Sequence, residues 1–112
     1  MNILILGMPN VGKTSLYNII TNNKNNNIIH DTIGTTRDWH VSSLKVNQNI
    51  DVYDTPGIIN LKSLRSNSAS DILKKIDIFI YVIDYKDESY LTDLELINEL
   101  RKFNREIIII IN

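Results

Sequence analysis

An α/β sandwich with a mostly parallel sheet and one antiparallel hairpin strand is the fold class that this 112-residue chain predicts. Three observations carry that expectation. Short apolar runs alternate with segments of helical period. A glycine-bearing loop sits between the first apolar run and the first helical segment. Two strand-like stretches in the middle are parted only by Asn47-Gln48-Asn49, a spacing that suits a hairpin.

Taken in order, Asn2–Leu6 is an apolar run long enough for a buried strand. Leu16, Ile19 and Ile20 then recur at helical spacing, which predicts a helix over about Lys13–Asn22. Asn22 to Asn27 is almost all asparagine and reads as a polar loop. His40–Val46 and Ile50–Tyr53 are the hairpin strands. Leu61–Ile76 carries Leu64, Ile72, Leu73 and Ile76 and is expected to be helical in its second half. Ile78–Ile83 is nearly continuous in apolar residues, as a buried parallel strand would be. Thr92 and Glu95 have the spacing of a capping box, and Leu96, Leu100 and Phe103 continue at helical period. Ile107–Ile111 is the last strand. The predicted order is β α β β α β α β, with no internal repeat.

Composition narrows the function classes. Hydrophobic residues make up 43% of the chain, enough for a packed core in at most one domain. The net charge of -1 argues against coating nucleic acid by bulk charge. No cysteine is present, which removes disulfides and thiolate metal sites and fits a reducing compartment. The first residues lack a basic region and a cleavage site, and the longest apolar run, Ile107 to Ile111, is far short of a membrane span. A cytoplasmic protein with no membrane partner is the expectation.

The chemistry begins at Gly7-Met8-Pro9-Asn10-Val11-Gly12-Lys13-Thr14, which fits the phosphate-binding loop G-x-x-x-x-G-K-[ST]. Its setting between a strand and a helix is the one such a loop needs. The glycines let the backbone curl so that several N–H groups face one anion, and the positive end of the helix adds to the field. Lys13 supplies a mobile point charge for terminal phosphates, and it is expected to pack against nothing. Thr14 supplies a hydroxyl suited to magnesium. In an open parallel sheet, ligands bind at the carboxyl ends of the strands. At those ends stand Asp54-Thr55-Pro56-Gly57, Asp84 and Asn112. Asp54 could hold a magnesium-bound water as a Walker B aspartate does, and Gly57 leaves its N–H open to a terminal phosphate. Between these motifs lies Gly34-Thr35-Thr36-Arg37-Asp38, in a polar connection running from Asn22 to Asp38. A threonine there could complete a magnesium shell when a third phosphate is present, so this segment is expected to be ordered by that phosphate and poorly ordered without it. The implied architecture is a three-layer phosphate-loop NTPase sandwich.

Together these segments resemble the translation-factor-related GTPases, specifically the Era, MnmE and Der (EngA) group. The carrying residues are Gly7-x-Pro9-Asn10-x-Gly12-Lys13-Thr14-Ser15-Leu16-x-Asn18, Gly34-Thr35-Thr36-Arg37-Asp38 and Asp54-Thr55-Pro56-Gly57-Ile58. Asp77-Ile78-x-Ile80, Val82-Ile83-Asp84, Asp93 and Leu100-Arg101-Lys102 give the second half a likeness to the first G domain of Der proteins. Der against Era is left open. The resemblance implies GTP and GDP as ligands, with Mg2+. It implies that Lys13 and the amides of Asn10 to Ser15, within the loop that also contains Met8 and Val11, hold the phosphates. It implies Thr14, Thr36 and Asp54 around the metal, with Thr36 a better match than Thr35. Thr55 and Pro56 accompany Asp54 in the nucleotide site, and Gly57 contacts the third phosphate. Ile58 stands where other GTPases place a glutamine that orients water. In some members of the group a potassium ion is held in part by the asparagine matching Asn10. The implied catalytic set is Lys13, Thr36, Gly57 and Asn10.

Guanine is read in this group by an Asn-Lys-x-Asp motif, of which Asn112 would be the first residue. The sequence is therefore expected to be a partial G domain over residues 1–112, incomplete at its C-terminus. The ribosomal large subunit or its RNA would be engaged through domains missing here. Such a stretch is expected to bind guanine nucleotides weakly, with little preference over adenine, and to self-associate through its isoleucine-rich last strand. Whether it turns over GTP alone is left open. Two rival readings stand beside the GTPase: an ATP-using phosphate-loop protein and a nucleotide-binding module without turnover.

Overall fold

In a computed structural model, the described residues are 1–8, 13–21, 29–32, 40–45, 49–55, 61–84, 86 and 90–112. They form strands β1 (Asn2–Gly7), β2 (Ile29–Thr32), β3 (His40–Lys45), β4 (Asn49–Asp54), β5 (Ile78–Ile83) and β6 (Glu106–Ile111). The helices are α1 (Lys13–Thr21), α2 (Leu61–Leu64), α3 (Asn67–Leu73) and α4 (Leu91–Arg101). The sheet order is β2-β3-β4-β1-β5-β6. β4, β1, β5 and β6 run parallel. β3 is antiparallel to β4, and β2 is antiparallel to β3.

The alternation of side chains along β1 divides the core into two layers, since successive residues of a strand face opposite sides. Leu4 and Leu6 join Phe79 and Tyr81 of β5 on one face, packed with Leu64, Ile72, Leu73, Leu96 and Leu100 of α2, α3 and α4. Ile5 joins Val52 of β4 and Val82 of β5 on the other face, packed with Tyr17 of α1. A sheet between two helical layers is the three-layer arrangement the sequence predicts. The phenyl rings of Phe79 and Phe103 lie 6.2 Å apart at a tilted angle, closing the first layer near the end of α4.

The amino end of β1 is tied down by polar contacts. Asp77 Oδ2 accepts the Asn2 N–H over 2.8 Å, and Asp77 N–H donates to the Asn2 carbonyl over 2.8 Å. The Asn2 side-chain amide donates to the Lys75 carbonyl, and Asp51 N–H donates to the Met1 carbonyl. Across β3 and β4, Ser43 Oγ donates to Asp51 Oδ1 over 2.7 Å. These bonds fix the register that carries the opposite, carboxyl ends of the strands to one edge.

Three local expectations are corrected. β2 lies inside the stretch from Asn22 to Asp38, which the sequence reads as an unstructured polar connection. Four residues containing His30 and Asp31 give little alternation, and their strand exists through pairing with β3. The stretch from Leu61 is helical in its first half too, broken where Ser66 caps α3 by accepting the Ala69 N–H. Thr92 does not cap α4. The helix begins at Leu91, after Tyr90, whose side chain makes no capping bond. The first turn instead carries Asp93, whose carboxylate is buried and takes the hydroxyl of Tyr81. A carboxylate there is favoured by the positive end of the helix.

Candidate nucleotide site

The four parallel strands deliver Gly7, Asp54, Ile83 and Ile111 to the same edge of the sheet. β1 and β4 are adjacent, with Ile5 opposite Asp54 in the register. The exit of the phosphate-loop strand and the Asp54-Thr55 pair are therefore neighbours by construction of the sheet. Met8, directly after β1, is half-buried and touches both core layers, anchoring the entry to the loop. Lys13, Thr14 and Ser15 open α1.

Lys13 reaches across from α1 to the end of β4. Its Nζ donates to the Thr55 carbonyl over 2.8 Å and lies 3.4 Å from Thr55 Oγ1. The Thr55 hydroxyl in turn donates to the Ile5 carbonyl over 3.1 Å. Lys13 is only 5% exposed and Thr55 only 3%. Lys13 is thus not the loosely held charge that the sequence suggests. It is enclosed and hydrogen-bonded to a neighbouring strand. Burial pushes its pKa below the ordinary lysine value, and the Asp54 carboxylate partly opposes that shift. A desolvated ammonium beside a buried carboxylate oxygen is a concentrated electrostatic site.

The arrangement suits a polyphosphate and its counter-ion. An ammonium offers three donors to phosphate oxygens. The carboxylate of Asp54 is a hard oxygen donor, the type magnesium takes. Asp54 thus fits one place in a magnesium shell. Asp84 follows β5 at the same edge, and its carboxylate accepts the Lys86 N–H over 2.9 Å. Asn112 follows β6 at the same edge and donates its backbone N–H to the Ile83 carbonyl over 2.8 Å.

Of the residues singled out from the sequence, the structure brings together Gly7, Met8, Lys13, Asp54 and Thr55, with the backbone of Thr14 and Ser15 beside them. Pro9, Asn10, Val11, Gly12, Thr35, Thr36, Pro56, Gly57 and Ile58 lie outside the described residues. Sequence reasoning places Thr55 beside Asp54 in the nucleotide site but misses its contact with Lys13. Nothing in the spacing of the two motifs reports that contact, because 42 residues separate them.

The model of the 50S ribosome-binding GTPase family matches residues 2–112. The chain belongs to this family. Among curated proteins it is similar to the GTPase Der of Borrelia garinii subsp. bavariensis, 36% identical over 115 aligned residues that cover 98% of this chain and 26% of that protein. It is similar also to the tRNA modification GTPase MnmE of Ureaplasma parvum serovar 3, 36% identical over 107 residues covering 91% of this chain and 24% of that protein. The chain thus spans about a quarter of the length of these relatives. Among solved structures it is similar to the G domain of the T. maritima FeoB iron transporter. That match has a TM-score of 0.71 and 27% identity, and covers 99% of this chain and 70% of that one. The GTPase family and the G-domain fold named from the motifs are both borne out. Among the described residues no helix is long and apolar enough to cross a membrane.

Proposed function

We propose that this chain binds guanine nucleotide and contributes to GTP hydrolysis as the greater part of a switch domain, in a Der-type GTPase acting in assembly of the large ribosomal subunit. The observation that carries the reading is the meeting of Lys13 with Thr55 beside Asp54, at the sheet edge where the loop after β1 begins. In this reading Lys13 neutralises the terminal phosphates, and the backbone N–H groups from Asn10 to Ser15 surround them. Thr14, Thr36 and Asp54 are the residues that would hold magnesium, which supplies neutralisation of charge on the transferring phosphoryl group when bound. Gly57 offers its N–H to the third phosphate. Asn10 is the residue that would help to hold a potassium ion, and Asn112 begins the guanine-reading segment. Hydrolysis is then a matter of positioning and electrostatics, with water attacking in line.

The test is phosphate release from GTP with magnesium, compared in potassium and sodium buffers and in Lys13→Ala. Turnover that needs magnesium and falls in the variant supports the reading. Tight GDP binding with no turnover under any condition would make the chain a binding module. Nucleotide binding indifferent to Lys13 would overturn the site itself.

A further inference from the structure

The chemistry of Thr55 goes further than a place beside Asp54. A threonine hydroxyl has one proton to donate and two lone pairs with which to accept. Here the proton is committed to the Ile5 carbonyl, 3.1 Å away, two residues before the end of β1. With the proton fixed on that side, the oxygen's lone pairs are left on the side of Lys13 Nζ, at 3.4 Å. The backbone carbonyl of the same residue accepts from Nζ at 2.8 Å. One residue therefore presents two oxygens to one ammonium and is itself pinned to the phosphate-loop strand. The whole contact is enclosed, so water does not substitute for it readily.

We propose that Thr55 is the positioning residue of Lys13: its hydroxyl, held by the Ile5 carbonyl, and its carbonyl together fix where the ammonium meets a phosphate. The inference rests on the phosphate-binding role given to Lys13 above and assigns its control to a residue on another strand. A free lysine side chain has many rotamers to lose on binding, whereas one already held meets its ligand at lower cost. Thr55 thereby links the end of β4 to β1 and to the start of α1.

A double-mutant comparison tests this, with GDP as the probe and the folded state checked by circular dichroism. Thr55→Val keeps the shape and removes the hydroxyl, and is expected to weaken GDP binding about five- to tenfold, as for loss of a hydrogen bond to a charged group. Thr55→Ser keeps the hydroxyl and should bind within about twofold of the parent chain. In a Lys13→Ala background, adding Thr55→Val should change GDP affinity by less than about twofold, because residues that act through one another are not additive. Equal losses from Thr55→Val with and without Lys13 would overturn the proposal, since Thr55 would then act on the loop directly. So would a Thr55→Val chain that binds like the parent while Lys13→Ala binds poorly, and that result leaves the role of Lys13 standing. Undiminished binding by Lys13→Ala alone would overturn both. Should Thr55→Val fail to fold, Thr55→Ala carries the same comparison, with the same outcomes.

Discussion

The hydroxyl of Tyr81 donates to Asp93 Oδ1 over 2.7 Å, and both residues are closed off from water. Tyr81 sits on β5 opposite Leu6 of β1, one residue before the phosphate loop begins, while Asp93 lies in the first turn of α4. The pair joins the helix to the strand next to the nucleotide site. Tyr81→Phe leaves a buried carboxylate short of a donor and should destabilise the chain by about 1–3 kcal/mol, measured by urea unfolding.

The same pair predicts an alkaline effect. Burial, with the bond to Asp93 and that carboxylate's charge, pushes the Tyr81 pKa far above the ordinary tyrosine value. The folded state keeps its proton where an unfolded tyrosine, with a pKa of about 10, loses it. The contribution to stability is therefore complete below pH about 10 and is lost as pH rises beyond it. Unfolding curves should lose stability less steeply above that pH in Tyr81→Phe than in the parent. Parallel slopes would mean that Tyr81 titrates freely in the fold.

Lys13 predicts the opposite slope. Its pKa is lowered by burial, so the unfolded chain binds this proton more tightly than the folded one. Stability should rise with pH through the window between the lowered folded value and the unfolded one, near 10.4. Lys13→Met should remove that gain, and should weaken GDP binding by about tenfold or more through loss of a charge-assisted contact. A variant that keeps the pH-dependent gain would show that another group produces it.

Much of this was legible in the residues themselves. Ile78–Ile83 reads as a strand because six nearly continuous apolar residues need cover on both faces, and in the structure Phe79 and Tyr81 pack into one core layer and Val82 into the other. Gly7 to Thr14 locates the site because its glycines and lysine are specific to one chemistry. β2 was not legible, since its four residues gain their conformation from β3 rather than from their own pattern. The start of α4 was misread for a related reason. Thr92 satisfies a local capping pattern, but a long-range bond from Tyr81 fixes the helix through Asp93 instead. The burial of Lys13 depends on a contact between two distant motifs, and sequence spacing carries no measure of distance in space.

Thr36 carries a prediction about the two nucleotide states. Thr36→Ala should leave GDP affinity within about twofold and weaken binding of a non-hydrolysable GTP analogue, because a contact that exists only with a third phosphate contributes to that state alone. Titration of both nucleotides under magnesium separates the cases. Equal losses for the two would make Thr36 a structural residue of its loop.

The last prediction concerns β6. It pairs with β5, and its isoleucines are unevenly covered: Ile108, Ile109 and Ile111 are 41%, 47% and 70% exposed. Five isoleucines in succession have high strand propensity, and no charge interrupts them between Glu106 and Asn112. An edge of this kind offers backbone hydrogen bonds and apolar side chains to a second copy of the chain. Leu91 and Leu94 add exposed apolar surface on α4, the helix that leads into β6. Concentration-dependent self-association should therefore appear in sedimentation velocity at micromolar concentrations. Ile109→Lys places a charge in the middle of the edge strand, a substitution of the kind that blocks strand pairing between molecules. It should shift the chain toward monomer while leaving its unfolding midpoint little changed, since Ile109 is already half exposed. Undiminished association in Ile109→Lys, at unchanged stability, would move the contact away from β6 to another surface.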